Sequence, residues 1–220
     1  MLTDSDLDFA FQHALAREDA EIDLARASLL VAELEYPGLD VADYVDRLDG
    51  LADGFRGRGL RLDEAARFSA LREHLFRELG FAGNEREYYD PRNSFLNEVL
   101  DRRLGIPLTL SVLLMEVGGR LGLAIDGIAA PGHFVVRFQG RLYDPFRRGR
   151  ELAEDDVKRL VEGEPARVPA ARKRDIVARM LRNLASIYQR NSDLVRLKRI
   201  RERLVMVEAP QRPIPPPALA

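Results

Sequence analysis

The chain has no cysteine and no tryptophan among its 220 residues. Without cysteine there is no thiolate nucleophile, no disulfide framework and no cysteine-ligated zinc or iron. Such a composition fits a reducing compartment, so the expected location is the cytoplasm. Lysine is scarce as well: Lys158, Lys173 and Lys198 are the whole set, and arginine carries the remaining positive charge. No apolar run approaches the roughly 18 residues that a membrane-spanning helix needs. The opening Met1-Leu-Thr-Asp-Ser-Asp is acidic where a secretory leader is basic, which reads against one. Of the three histidines, His13 and His74 fall in separate helical stretches without ligand spacing, so neither a metal nor a cofactor is expected.

What is present is an ordinary globular composition, 46% hydrophobic and 32% charged, enough for one domain with a helical appendage. The net charge of −2 hides an asymmetry. Residues 1–90 carry 10 arginines against 21 acids, a balance of −11, and residues 91–220 carry the compensating +9. The asymmetry reads either as an acidic helical lobe beside a basic one or as a basic half that meets an acidic partner.

Helical spacing dominates both ends. Residues 4 to about 34 place Leu7, Phe11, Leu15, Ile22, Leu30 and Leu34 at helical intervals, and Pro37-Gly38 breaks the pattern. Asp40 suits an N-cap for a helix through Val41, Val45 and Leu48. The Gly- and Arg-rich stretch Phe55–Gly59 reads as a loop, and Asp63 opens a further helix that stops at Gly80. Residues 1–80 are thus expected to form an N-terminal helical lobe. Residues 174–189 and 193–207 read as a single helical hairpin of tetratricopeptide size (domain 166–208), with Leu194 and Leu197 among its inward positions. The tail, 209–220, is rich in proline and expected to lack order.

The part between, 81–165, carries the strands and the chemistry. Asn93 suits an N-cap for a helix over 94–103. Pro107 stands where a first-turn proline is tolerated, and Leu108–Leu121 is apolar nearly all round, the mark of a central buried helix. Three β-type runs follow at 124–129, 133–138 and 141–143, the last two joined by Gln139-Gly140 as a tight hairpin turn. His133 and Asp144 therefore lie on adjacent antiparallel strands, where an acid can fix an imidazole's tautomer and the imidazole can act as a base.

Several motifs from Gly83 to Leu152 resemble the SirB-type family of transglutaminase-like proteins. They are Gly83-Asn84, Tyr88-Tyr89-Asp90-Pro91-Arg92-Asn93-Ser94, Arg102-Arg103-x-Gly105-Ile106-Pro107, Arg120-Leu121-Gly122-Leu123, Pro131-Gly132-His133-Phe134 and Asp144-Pro145-Phe146. Together they are specific, and the flanking helices extend the likeness over nearly the whole chain. The resemblance implies a predominantly helical α+β fold with a papain- or transglutaminase-like core, a central helix against a small antiparallel sheet. It also implies a Cys-His-Asp site, in which His133 matches the histidine and Asp144 the aspartate. Counted back from Gly122, the Gly-x-Cys of the family falls on Gly105-Ile106-Pro107, so a proline stands in the nucleophile slot.

Three readings follow. In the first, a module without its nucleophile binds a protein or peptide partner through the remnant cleft, with Tyr89, Asp90, Arg92, Asn93 and Pro107 lining it beside His133 and Asp144. In the second, Ser111, one turn into the helix, serves as nucleophile of a hydrolase or acyl transferase with His133 and Asp144. In the third, the helical hairpin is an adaptor. Each residue also has a plainer role: Ser111 as a core serine bonded back to its own helix, Asp144 as a turn cap, and Asp90, Arg92 and Asn93 as organisers of the helix entry. The basic clusters Arg196–Arg203 and Arg147–Arg150 lack aromatic interleaving and read as solvated helix faces, so no nucleic-acid partner is expected.

Overall fold

The computed structural model describes residues 4–59, 62–161 and 164–209. Their contacts group the residues up to Leu39 with those from Lys173 onward as one unit, and Asp40–Arg172 as the other. Helices from residues 1–80 are shared between the two units. The prolyl tail expected to lack order lies outside the described residues, apart from Ala209.

The helical pattern of residues 4–34 is not one helix. It is α1 (Asp4–Leu15), a 3₁₀ turn at Asp19–Glu21 and α2 (Leu24–Ala32). Asp23 restarts the helix by accepting the Arg26 amide at 2.9 Å. Such a cap satisfies an amide that has no intrahelical acceptor, which is why the spacing of apolar residues alone did not reveal the break.

In the second unit α3 (Val41–Gly59) is capped by Asp40, whose Oδ1 accepts the Asp43 amide at 3.1 Å. Phe55–Gly59 is helical and not a loop, because Leu48, Ala52 and Phe55 at helical spacing are 0–1% exposed. Burying such a face outweighs the roughly 1 kcal/mol that a mid-helix glycine costs. Helix α4 (Glu64–Glu73) runs into a π-helical turn, His74–Glu78. Then β1 (Ala82–Gly83) pairs in parallel with β2 (Leu104–Gly105), and between them lie a 3₁₀ turn, Pro91–Ser94, and α5 (Leu96–Arg102).

Helix α6 (Pro107–Arg120) is the centre of this unit. Leu108, Leu110, Val112, Leu113, Leu114 and Val117 are all at most 2% exposed, each worth on the order of 1.5–3 kcal/mol of burial. The helix is apolar nearly all round because it has neighbours nearly all round: α3, α4, α5 and the sheet. That sheet is β3 (Asp126–Ala130), β4 (His133–Phe138), β5 (Arg141–Asp144) and β6 (Arg150–Glu151), antiparallel in that order. Side chains alternate across it. Phe134 reaches the Gly127 and Met115 side of the sheet, while Val135, Ile128 and Leu142 join Leu152 and Val161 in a cluster covered by Val157 and Leu160 of α7 (Glu154–Leu160).

The first unit closes with α8 (Lys173–Arg190) and α9 (Leu194–Glu208), packed on each other and on α1 and α2. Leu194, expected inward, is 71% exposed at the mouth of α9. Arg203, expected on a solvated face, is buried: its Nε donates to Asp8 at 2.8 Å and its guanidinium stacks over Phe11. The observed architecture is predominantly helical α+β. None of the described helices is long and apolar enough to cross a membrane.

Candidate functional site

The β4–β5 hairpin sets the geometry. Gln139 and Gly140 both take positive φ, 47° and 78°, the conformation of a two-residue turn whose twist suits antiparallel strands. That turn fixes the register at Phe138↔Arg141 and Val136↔Tyr143 and puts His133 and Asp144 at the open end. There His133 Nε2 lies 3.0 Å from Asp144 Oδ2. With Nε2–H as the donor, the imidazole lone pair sits on Nδ1.

Asp144 is 2% exposed and does a second job. Its Oδ1 accepts the amides of Phe146 at 3.0 Å and Arg147 at 3.3 Å, capping the 3₁₀ turn Pro145–Arg147. One carboxylate thus builds the turn with one oxygen and aims the imidazole with the other. A buried carboxylate with this set of donors costs little to keep, whereas an unpaired one would be expensive.

The turn is locked to the 84–93 loop through Phe146. A Cβ on Gly83 would stand 2.5 Å from the Phe146 ring, so only glycine lets the ring lie there. Tyr88 meets Phe146 edge-on at 5.8 Å, and Tyr89 meets Tyr88 at 5.3 Å with 57% of its own surface exposed. Asn93 holds the loop from inside. It is fully buried, donates from Nδ2 to the carbonyls of Glu87 at 2.7 Å and Tyr88 at 3.3 Å, and accepts from Asn84 at 3.0 Å. It does not cap a helix over 94–103. The cap is Asp90, on the 3₁₀ turn, through the Arg92 amide at 2.9 Å, and α5 starts later, at Leu96. The partly buried bonds to the loop carbonyls occupy the fully buried Asn93 amide, which leaves it unable to cap a helix.

Asp90 and Arg92 form a multiply bonded ion pair, with Arg102 3.4 Å from the same carboxylate. Burial raises the Asp90 carboxyl, but the hydrogen bonds from Arg92 and the charges of Arg92 and Arg102 outweigh it and hold the carboxyl below its ordinary value.

Pro107 is buried at the first position of α6. Thr109 ties that end down: Oγ1 accepts the Ile106 amide at 3.2 Å and donates to the Asn93 carbonyl at 2.7 Å. Ser111 is fully buried, and its hydroxyl donates to the Pro107 carbonyl at 2.7 Å. The structure therefore brings His133 and Asp144 together, and joins Tyr88 to their turn. It commits the Ser111 proton to its own helix. Thr109, Asn84 and Phe146 were not singled out from sequence as site-builders. Their roles depend on contacts between residues 9 to 63 positions apart, for which sequence spacing gives no signal. Among the described residues no group of three or more His, Asp or Glu side chains is placed to hold a metal ion.

Residues 42–182 match the family model of the transglutaminase-like superfamily. The chain belongs to that superfamily. A UPF0162 protein of Xylella fastidiosa (strain 9a5c) is 36% identical over 215 residues, covering 89% of this chain and 75% of its relative. A UPF0162 protein of Pseudomonas aeruginosa is 32% identical over 178 residues, 75% of this chain and 64% of that one. The F-box only protein 21 of Homo sapiens is 29% identical over 135 residues, 55% of this chain but only 22% of that protein. No solved structure matches.

Proposed function

We propose that this member of the superfamily is a binding module without a nucleophile, which takes a peptide segment of a protein partner on the surface around His133, Tyr88 and Tyr89. The observation that carries this reading is the contrast at the two ends of the site. The His133–Asp144 pair is fully built, while the helix end it would serve begins with Pro107, which has neither a nucleophilic side chain nor an amide proton to offer an oxyanion. A proline there argues against thiol-based acyl transfer, and an oriented imidazole, two exposed tyrosine rings and the Asp90–Arg92 pair are then available as recognition groups. Aromatic rings and pre-positioned polar groups give contact area at low entropic cost.

The alternative, a serine hydrolase using Ser111, has the residue types but the wrong hydrogen bond, since the Ser111 hydroxyl donates to Pro107 and is fully buried. Two measurements decide. Wild type, Ser111→Ala and His133→Ala are assayed on activated esters and on glutamine and peptide amides; turnover lost in both variants would establish serine chemistry and end the binding-module reading. A peptide array is then probed with wild type, Tyr89→Ala and His133→Ala. Array peptides that bind wild type and lose binding in both variants, at unchanged unfolding midpoints, are the expected result.

A further inference from the structure

A groove of about 480 Å³ lies along α3, away from the His133 turn. Its floor is apolar: Leu51 from α3, and Leu79, Phe81 and Leu100 from the other side. On α3, Asp43, Asp46 and Gly50 follow one another at helical intervals and line one wall. Both carboxylates are exposed, and neither takes part in an ion pair with a described residue. Of the two cations close by, only Arg47 is neutralised by a carboxylate among the described residues. Arg47 is 2.7 Å from Asp101, which also accepts the Tyr44 hydroxyl, and Arg103 donates to the Leu79 carbonyl at 2.8 Å. The groove is therefore an apolar trough with an acidic lip on α3 and the Arg103 charge on its other side.

Gly50 adds an independent observation. Its φ is not positive, and a Cβ built on it meets nothing within 4 Å. Neither backbone conformation nor internal packing asks for glycine there, and alanine would favour the helix by roughly 1 kcal/mol. Gly54 and Gly57 on the same helix are equally open, but only Gly50 lines the groove, where its missing side chain leaves the trough open at mid-length so that another backbone can come close to α3.

We propose that this groove docks an amphipathic helix of a partner protein, with an apolar side chain seated over Leu51 and Leu79 and lysine or arginine residues one turn away facing Asp43 and Asp46. Charge selects the occupant. An acidic segment would meet two unpaired carboxylates, whereas a basic one neutralises them. Helix-in-groove recognition of this kind reads anchors at i, i+3, i+4 and i+7.

The test uses the full chain and, as probe, a short synthetic helix built only of leucine and lysine in that pattern, with a leucine–glutamate twin as control. Binding is followed by fluorescence anisotropy and by amide NMR shifts. The lysine probe is expected to bind and to shift amides around Gly50, Phe81 and Leu100, while the glutamate twin does not bind. Gly50→Leu, which fills the trough at a helix position with open space around it, should weaken binding about tenfold. Asp43→Asn with Asp46→Asn should weaken it to a similar degree and flatten its dependence on salt. His133→Ala should leave it unchanged, which separates this surface from the one proposed above. Equal binding of both probes, or unchanged affinity in Gly50→Leu, would overturn the proposal. So would self-association of the wild type that Gly50→Leu abolishes, because the occupant would then be a second copy.

Discussion

Because the chain contains no cysteine, a single Pro107→Cys substitution gives it one thiol, placed where the resemblance puts the family nucleophile. Burial of that position opposes ionisation of the thiol, and two local effects favour it. The end of α6 carries the positive pole of the helix dipole, worth about 0.3–1 kcal/mol for a negative group, or up to roughly 0.7 of a pH unit. If the imidazole of His133 faces the slot, an imidazolium about 4 Å away adds as much as ~4 kcal/mol at an effective dielectric of about 20, or close to 3 units. The free thiol range of about 8.5 should therefore fall to roughly 5–6, inside the span seen for helix-end and histidine-paired thiols. Losing proline should cost no more than about 1 kcal/mol, since its advantage at a first helical position is mainly preorganised φ. The assay is the pH dependence of alkylation by iodoacetamide, with Pro107→Cys/His133→Ala beside the single variant. The expected result is an acidic midpoint in the single variant that moves back up by roughly two to three units once the imidazole is gone. Midpoints near the free-thiol value in both proteins, or labelling only after unfolding in urea, would refute the placement of the slot and with it the remnant-cleft argument.

Other outcomes follow from single contacts. Asp144→Ala removes the acceptor for two amides and for His133, and should cost about 3 kcal/mol in urea unfolding, whereas Asp144→Asn keeps the turn cap and should cost about 1. Gly83→Ala forces the Phe146 ring to move and should destabilise by roughly 1–3 kcal/mol with shifted Tyr88 and Phe146 ring signals; Gly54→Ala, in open space on α3, should stabilise by up to about 1. Glu33 is buried, and burial raises its carboxyl against the opposing charges of Arg203 and Arg26. Its folded form holds the proton more tightly than the unfolded chain does. Its contribution is complete below the ordinary glutamate range and is lost as the pH rises through the raised value, so Glu33→Gln should gain on wild type as the pH rises above the ordinary glutamate range.

The central helix, the hairpin and the pairing of His133 with Asp144 were legible because each is a local pattern. A proline sits at a first turn, apolar residues surround one helix, and a two-residue turn fixes a register. The break between α1 and α2 was not legible. Asp19, which lies in that break, accepts the Lys173 and Arg174 amides at 2.9 and 3.0 Å and so caps α8 from more than 150 positions away. Arg203 was misread for the same reason. A basic residue at a surface-like interval became a buried one because Asp8, the Leu30 carbonyl and the Phe11 ring converge on it from other helices. Asn93 looked like a cap because asparagine caps well, and nothing near it in sequence announces that two loop carbonyls and Asn84 will claim its amide.

The residues around His133 are held by a chain of contacts in which no nucleophile takes part. Asp144 holds the Pro145–Arg147 turn, the turn carries Phe146, Phe146 rests on Gly83 and Tyr88, and Asn93 fixes the Tyr88 carbonyl while its own carbonyl anchors Thr109 at the start of α6. Each link is a packing or hydrogen-bonding need of the fold, independent of any reaction. Of the two paired residues, Asp144 is buried and the His133 imidazole is partly exposed. A surface this constrained has already met the ordering cost that a flexible loop would meet on binding, which favours recognition by it. It follows that Asp144 variants report chiefly on the fold, and that a His133 variant is informative about function where its unfolding midpoint stays at the wild-type value.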